Sequence, residues 1–123
     1  MPYHLTREPD LVRLVYFGVI TPPDLQSIAD ELKAIEQAHG ASLNRLIDLT
    51  QASRLDLTYP VLRPFTAQRM AQPSTNQVKS AIVAPQPVHV GFARMYQTLN
   101  DDAQFTIKIF STVADAEAWL RPE

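Results

Sequence analysis

Apolar positions along the chain switch between two periods, alternation and a three-to-four-residue recurrence, in an order that specifies most of the elements. Tyr3 to Glu8 alternates weakly and stops at Pro9-Asp10, a turn signal. Leu11 to Ile20 is apolar on both alternating faces apart from Arg13, the pattern of a central strand buried on both sides. These two segments are expected to pair antiparallel across the turn. Thr21-Pro22-Pro23-Asp24 then opens a helix. Thr21 can accept a bond from an orphan backbone N–H, and proline costs nothing in a first turn. Asp24 puts negative charge where the helix dipole favours it. Leu25, Ile28, Ala29, Leu32 and Ile35 form one stripe, and Gly40 is the stop.

Arg45 to Thr50 reads as a third strand. A helix follows between about Pro60 and Gln72, and its start has two solutions. If Thr58 caps it, Pro64 falls inside, where it removes a bond and clashes one turn back. The helix then either begins near Pro64 or opens with an irregular turn. Val78 to Ala84 is a fourth strand, ended by Pro85-Gln86-Pro87. Val88 to Leu99 is a helix with Val88, Phe92, Met95 and Leu99 on one face. Phe105, Ile107 and Ile109 alternate with Thr106 and Lys108, as in an edge strand with a wetter side. A closing helix starts at Ser111-Thr112, with Thr112 as cap, Val113, Ala116 and Leu120 inward and Trp119 on the flank. The order β-β-α-β-α-β-α-β-α gives an α/β fold, a five-stranded mixed, mostly parallel sheet with four helices and right-handed crossovers.

Composition narrows the classes. The 123 residues, 46% of them hydrophobic, suit one globular domain spanning 1–123. The net charge of -2 comes from dispersed charges with no basic block, which argues against nucleic acid as a partner. Without cysteine there is no disulfide, thiolate metal site or cysteine nucleophile. No apolar run approaches the roughly 20 residues of a membrane-spanning helix, and MPYHLTREPD is not a secretory signal. A cytoplasmic protein is the simplest reading.

Candidate chemistry gathers where the strands end. Asp48 closes an apolar run, and the carboxyl ends of strands are where open α/β sheets meet ligands. Thr50, Asp56 and Thr58 follow in the connection to the next helix. Asp48 and Asp56 fit backbone-fixing roles better than an acid-base pair, because a shared substrate position is not visible in spacing. His89 begins the third helix, and Arg94, five positions on, points about 140° away around it. Arg94 reads as one half of a structural salt bridge to Asp48 or a loop acid, or as an anion site. His4 and His39 are isolated, with no metal-ligand spacing, no phosphate-binding glycine loop and no nucleophile elbow. No cofactor, metal or catalytic signature is expected.

The segment Ile47 to Tyr59 resembles the core motif of STAS domains, the family of anti-sigma-factor antagonists and sulphate-transporter tails. In that motif a strand ends in Asp, and an Asp-Ser-Ser/Thr-Gly turn presents a phosphorylated hydroxyl. The resemblance would put Asp48 at the strand end, Asp56 at the turn acid and Thr58 at the phosphoacceptor. Leu57 replaces the first hydroxyl residue and Tyr59 the glycine. Gly91 to Tyr96 and Ile109 to Leu120 are similar to small bacterial SpoIIAA-like proteins of the STAS/Sec14 group. From the residues alone, Thr58 reads first as a helix cap.

The resemblance implies main helices on one sheet face, yet the central strands are apolar on both. The second helix, a partner subunit or a bound apolar molecule would have to cover the rest. The leading expectation is a non-enzymatic interaction or regulatory module, with a protein partner or self-association as a homodimer. Its binding edge would comprise Asp48, Thr50, Asp56, Thr58, His89 and Arg94. The alternative is a Sec14-like carrier or sensor of a small apolar ligand, with Pro60 and Pro64 marking a lid.

Overall fold

The computed structural model describes residues 2–70, 77–100 and 105–122. Nine elements occur among them: β1 (Tyr3–Arg7), β2 (Leu11–Ile20), α1 (Pro22–His39), β3 (Asn44–Leu55), α2 (Tyr59–Met70), β4 (Val78–Val83), α3 (Pro87–Leu99), β5 (Phe105–Phe110) and α4 (Val113–Leu120). The strands lie side by side in sequence order. β1 pairs antiparallel with β2 and every other pair is parallel, the mixed sheet the sequence implies.

Sequential strand order has a consequence for the helices. Each right-handed crossover advances one strand in the same direction, so α1, α2 and α3 all fall on one face. Their Leu25, Ile28, Leu62 and Ala93 meet Leu14, Tyr16, Leu49, Ile82 and Ile107 there. α4 makes no crossover and takes the opposite face, where Ala116 and Leu120 pack on Leu11, Leu46, Ala81 and Val83. The face that the sequence left uncovered is therefore closed over β3, β4 and β5 by the fourth helix.

Local chemistry sets the boundaries, with two departures from expectation. Gly40 ends α1 in the left-handed region at φ 87, as its position suggested. At the start Thr21 and Asp24 form a capping box: the Thr21 N–H donates to the Asp24 carboxylate at 2.9 Å, and the Thr21 carbonyl accepts from Leu25 at 3.2 Å. α2 runs through Pro64 rather than starting at it. Pro60 and Pro64 both face solvent, where the carbonyl deprived of its partner can meet water. The expected end of this helix near Gln72 lies outside the described residues. On α3 the buried residues are His89 and Ala93, while Val88 stands out into solvent.

A set of ion pairs closes the opposite end of the sheet. Arg121, just past α4, bonds Asp10 at 2.7 and 2.8 Å and Glu8 at 2.6 Å. Arg13 joins Glu8 at 2.6 Å and Glu117 at 3.4 Å. The bonds from Arg13 and Arg121 hold the Glu8 carboxyl below the ordinary carboxylate range.

Candidate functional site

β3 is longer than its apolar run. Its pairing with β4 ends at Asp48 and Val83, but it continues beside β2 to Leu55. The register steps from Val15–Asp48 to Phe17–Gln51, and again from Gly18–Ala52 to Val19–Arg54, so β3 gains one residue at each step. Such bulges bend and twist a strand, and Gly18, at φ 58, supplies the left-handed backbone at the second. The result is a two-stranded ribbon of Phe17–Ile20 and Gln51–Leu55 that runs past β4. Asp48 thus marks the end of the β3–β4 ladder, within β3 rather than at its terminus.

The six edge residues occupy three different situations. Asp48 is buried, and its Oδ1 accepts the Thr50 N–H at 2.8 Å beside the first bulge. It fixes backbone, as a carboxylate at this place ordinarily does. Thr50 itself is exposed. Asp56 lies in the short connection to α2, and its oxygens are taken by Arg54 Nε and Nη2 at 2.8 and 2.9 Å. Thr58 precedes α2, and its carbonyl accepts from Val61 and Leu62 at 3.0 and 2.9 Å. The capping is done by that carbonyl, and the exposed hydroxyl has no hydrogen-bond partner among the described residues.

His89 and Arg94 diverge as their spacing requires. His89 is 1% exposed, with neither ring nitrogen hydrogen-bonded among the described residues, and Arg94 faces solvent. Among the described residues Arg94 forms no ion pair, so the expected bridge to Asp48 is not made. Asp48 with Thr50 is the contact within this set. No group of three or more potential metal ligands occurs among the described residues.

A concave feature lies beneath the helices, between the sheet and α2 among others, where the carrier alternative would hold its ligand. A cavity of about 210 Å³ is bounded by the sheet, α1, α2 and α3. Leu14, Leu49, Leu62, Ile82 and Phe92 line its body. Asp30, Lys33, Glu36, Arg45 and Asn100 line its other end, where β3 begins. Arg45 is buried, donates to Glu36 at 3.1 and 3.2 Å, and stacks its guanidinium 5.2 Å from the Phe105 ring centre. Its Nε has no hydrogen-bond partner among the described residues. The available sequence signal was a cation two positions before Ile47 and four before Leu49, on their side of the strand. Burial pushes the Tyr16 phenol above its ordinary range on this face, and burial with a bond to Glu31 pushes Tyr3 up to about 12.

No family model and no curated protein matches the chain. Solved structures do. One is an uncharacterised protein of the DUF3478 family with a SpoIIAA-like fold from Shewanella loihica PV-4. It is 18% identical at TM-score 0.62, covering 97% of this chain and 92% of that one. Another is an anti-sigma factor antagonist from Mycobacterium paratuberculosis, 13% identical at TM-score 0.60 with the same coverage, 97% and 92%. At such identities the likeness is one of architecture: the chain has the SpoIIAA-like fold.

Proposed function

We propose that the chain is a non-enzymatic, cytoplasmic regulatory module that binds a protein partner through the carboxyl edge of its sheet. The observation that carries this reading is the placement of its exposed large apolar side chains. Among the described residues these are Val19, Tyr59 and Val88, at 38, 50 and 62% exposure. They stand at the end of β2, the start of α2 and the start of α3, all at the edge where parallel strands finish. Exposed apolar groups gathered on one side favour a partner surface, and the Arg54–Asp56 pair supplies a polar rim beside them. The anti-sigma factor antagonist among the structural neighbours adds support at the level of fold alone. None of the described helices is long and apolar enough to cross a membrane.

Thr58 is the switch in this reading. A phosphate there would add up to about two negative charges beside Tyr59 at the start of a helix, altering the surface offered to a partner. The test places a photo-crosslinking residue at positions 19, 59 and 88 in the native host, with exposed positions 37 and 118 as controls. Protein adducts should form at the edge and not at the controls, and an adduct of twice the chain's mass would identify a second copy as the partner. Equal labelling at the controls, or none at the edge, refutes the surface. Intact-mass analysis of host-purified protein should show a phosphate that Thr58→Ala removes; its consistent absence refutes the switch.

A further inference from the structure

We infer that the outer edge of β1 is a self-association surface, on which β1 of a second copy pairs antiparallel about a two-fold axis. The two five-stranded sheets then join into one of ten strands. The face on which the sequence invited a second copy is closed by α4, so this is a different place. It is the lateral edge of the sheet and not its carboxyl end, and it does not depend on the partner surface proposed there.

The hydrogen bonds of β1 identify the residues that offer a free ladder. The Pro2 carbonyl accepts the Phe17 N–H at 2.6 Å, and the Glu8 N–H donates to the Leu11 carbonyl at 2.9 Å. Residues 2, 4, 6 and 8 therefore face β2, and Tyr3, Leu5 and Arg7 turn their N–H and C=O outward. Among the described residues no backbone group bonds these outward groups. The opposite edge is protected. The Phe110 carbonyl faces β4, where it accepts the Ala84 N–H, so the Ile107 carbonyl points outward, and Gln97 Nε2 donates to it at 2.7 Å. Proteins blunt open edges with such coverings, or with bulges, prolines and charges. β1 keeps an unbroken register with β2, holds no proline and carries its arginine at its last position.

Register follows from the side chains. Pairing Tyr3 with Arg7, Leu5 with Leu5 and Arg7 with Tyr3 of the second copy uses every outward residue, each pair exchanging both bonds. Tyr3 is buried and donates its hydroxyl to Glu31 of α1, and half-buried Leu5 sits on the axis. Arg7 is exposed and bonds no carboxylate: it donates to the Glu8 carbonyl at 3.4 Å and meets His39 Nδ1 at 2.8 Å. Neither Arg7 nor Glu31 has an ion-pair partner among the described residues. The two-fold axis brings each Arg7 beside the Tyr3–Glu31 pair of the other copy, at the spacing of cross-strand neighbours, so an unmatched cation meets an unmatched acid. An edge of five residues is a small contact, which makes a weak dimer that forms as concentration rises.

Sedimentation equilibrium of the full chain should show a monomer–dimer equilibrium at concentrations up to about 1 mM. Arg7→Glu and Glu31→Arg should each weaken it about tenfold or more by placing like charges together, and the double exchange should restore it. Circular dichroism verifies that each variant is folded. The chain has no cysteine, so Leu5→Cys supplies a single thiol at the axis, where opposed Cα atoms lie about 5.5 Å apart, within disulfide range. Mild oxidation should link it into a dimer, whereas His4→Cys, opposite Thr6 of the second copy, should stay monomeric. A wild-type chain that remains monomeric up to about 1 mM overturns the inference. So does a dimer that ignores the charge exchanges or links equally through position 4. A photo-crosslinker at position 5 that captures only other proteins in the host would seat a foreign strand there, and equally overturns it.

Discussion

The two faces of the sheet are closed by opposite means. One eight-residue helix, α4, seals its side, whereas three longer helices leave a 210 Å³ cavity on theirs. The difference lies in anchoring. α4 is fixed at its start by Thr112, whose hydroxyl accepts the Asp115 N–H at 3.2 Å, and at its end by the Arg121 ion pairs. Between them Trp119 packs on Phe110, and Lys79 and Lys108 lie 5.1 and 5.5 Å from its ring centre. Among its described residues α2 shows no such side-chain fixings. It carries Pro64 in its interior and buries Leu62 and Thr66, a threonine where a larger apolar residue would fill space. The number of helices over a face thus says less about its packing than how each helix is held.

The sharpest way to break the comparison is to cut a hole in the tight face. Leu46→Ala, at a fully buried site under α4, should cost about 2–5 kcal/mol in urea unfolding, with the denaturant slope unchanged. A matched pair of enlargements sharpens it. Ala81→Leu, against α4, should destabilise by about 1–3 kcal/mol through overpacking. Ala29→Leu, at the cavity, should be neutral or stabilising. Equal costs at the two sites would mean that the two faces are packed alike.

Acid and alkali should then act on different parts of the molecule. Bonds from Arg13 and Arg121 lower the folded-state pKa of Glu8, and the bond from Arg121 lowers that of Asp10. Their contribution is complete above the ordinary values of 4.5 and 3.8 and is lost as pH falls through the lowered ones. Melting temperatures should therefore drop in acid, and less steeply in Arg121→Gln. Tyr3 runs the other way. Raised from 10.0 to about 12 by burial and by Glu31, it contributes fully below pH 10 and loses that contribution as pH rises toward 12. Tyr3→Phe should flatten this alkaline loss.

The smallest effect concerns His89. Replacing a buried imidazole that makes no hydrogen bond with Leu should change stability by less than about 1 kcal/mol, with the sign toward stabilisation. A loss of several kcal/mol would show that the ring has a partner essential to the fold.

Element order, strand pairing and the α4 cap were legible because each rests on local pattern. The apolar run Leu11–Ile20 forms a strand, the stripe from Leu25 to Ile35 a helix, and Thr112 caps α4, although Val19 near the end of that strand is exposed rather than buried. What failed depends on neighbours. The extension of β3 was hidden because each bulge shifts the phase of alternation, so buried Ala52 and half-buried Leu55 fall three apart and read as loop. Pro64 stays helical because its side faces water. Thr58 was placed correctly at the start of α2, but which of its atoms does the capping is a matter of geometry. The orphaned Nε of Arg45 was beyond reach for a related reason. Nothing in the local sequence says that its partners, Glu36 and Phe105, leave one nitrogen over.

Sequential strand order also bears on how the chain is made. Each new strand pairs with the one synthesised before it, so the sheet can grow at one edge during translation without waiting for a distant segment. α4 is the exception. Its Arg121 closes on Asp10 across 111 positions, joining the last element to the first turn. Growth at an edge would leave a ribosome-bound chain protected by hydrogen bonds long before it is locked. The clasp at Asp10 forms only once α4 is free to fold, which makes it the step that turns a growing sheet into a finished one.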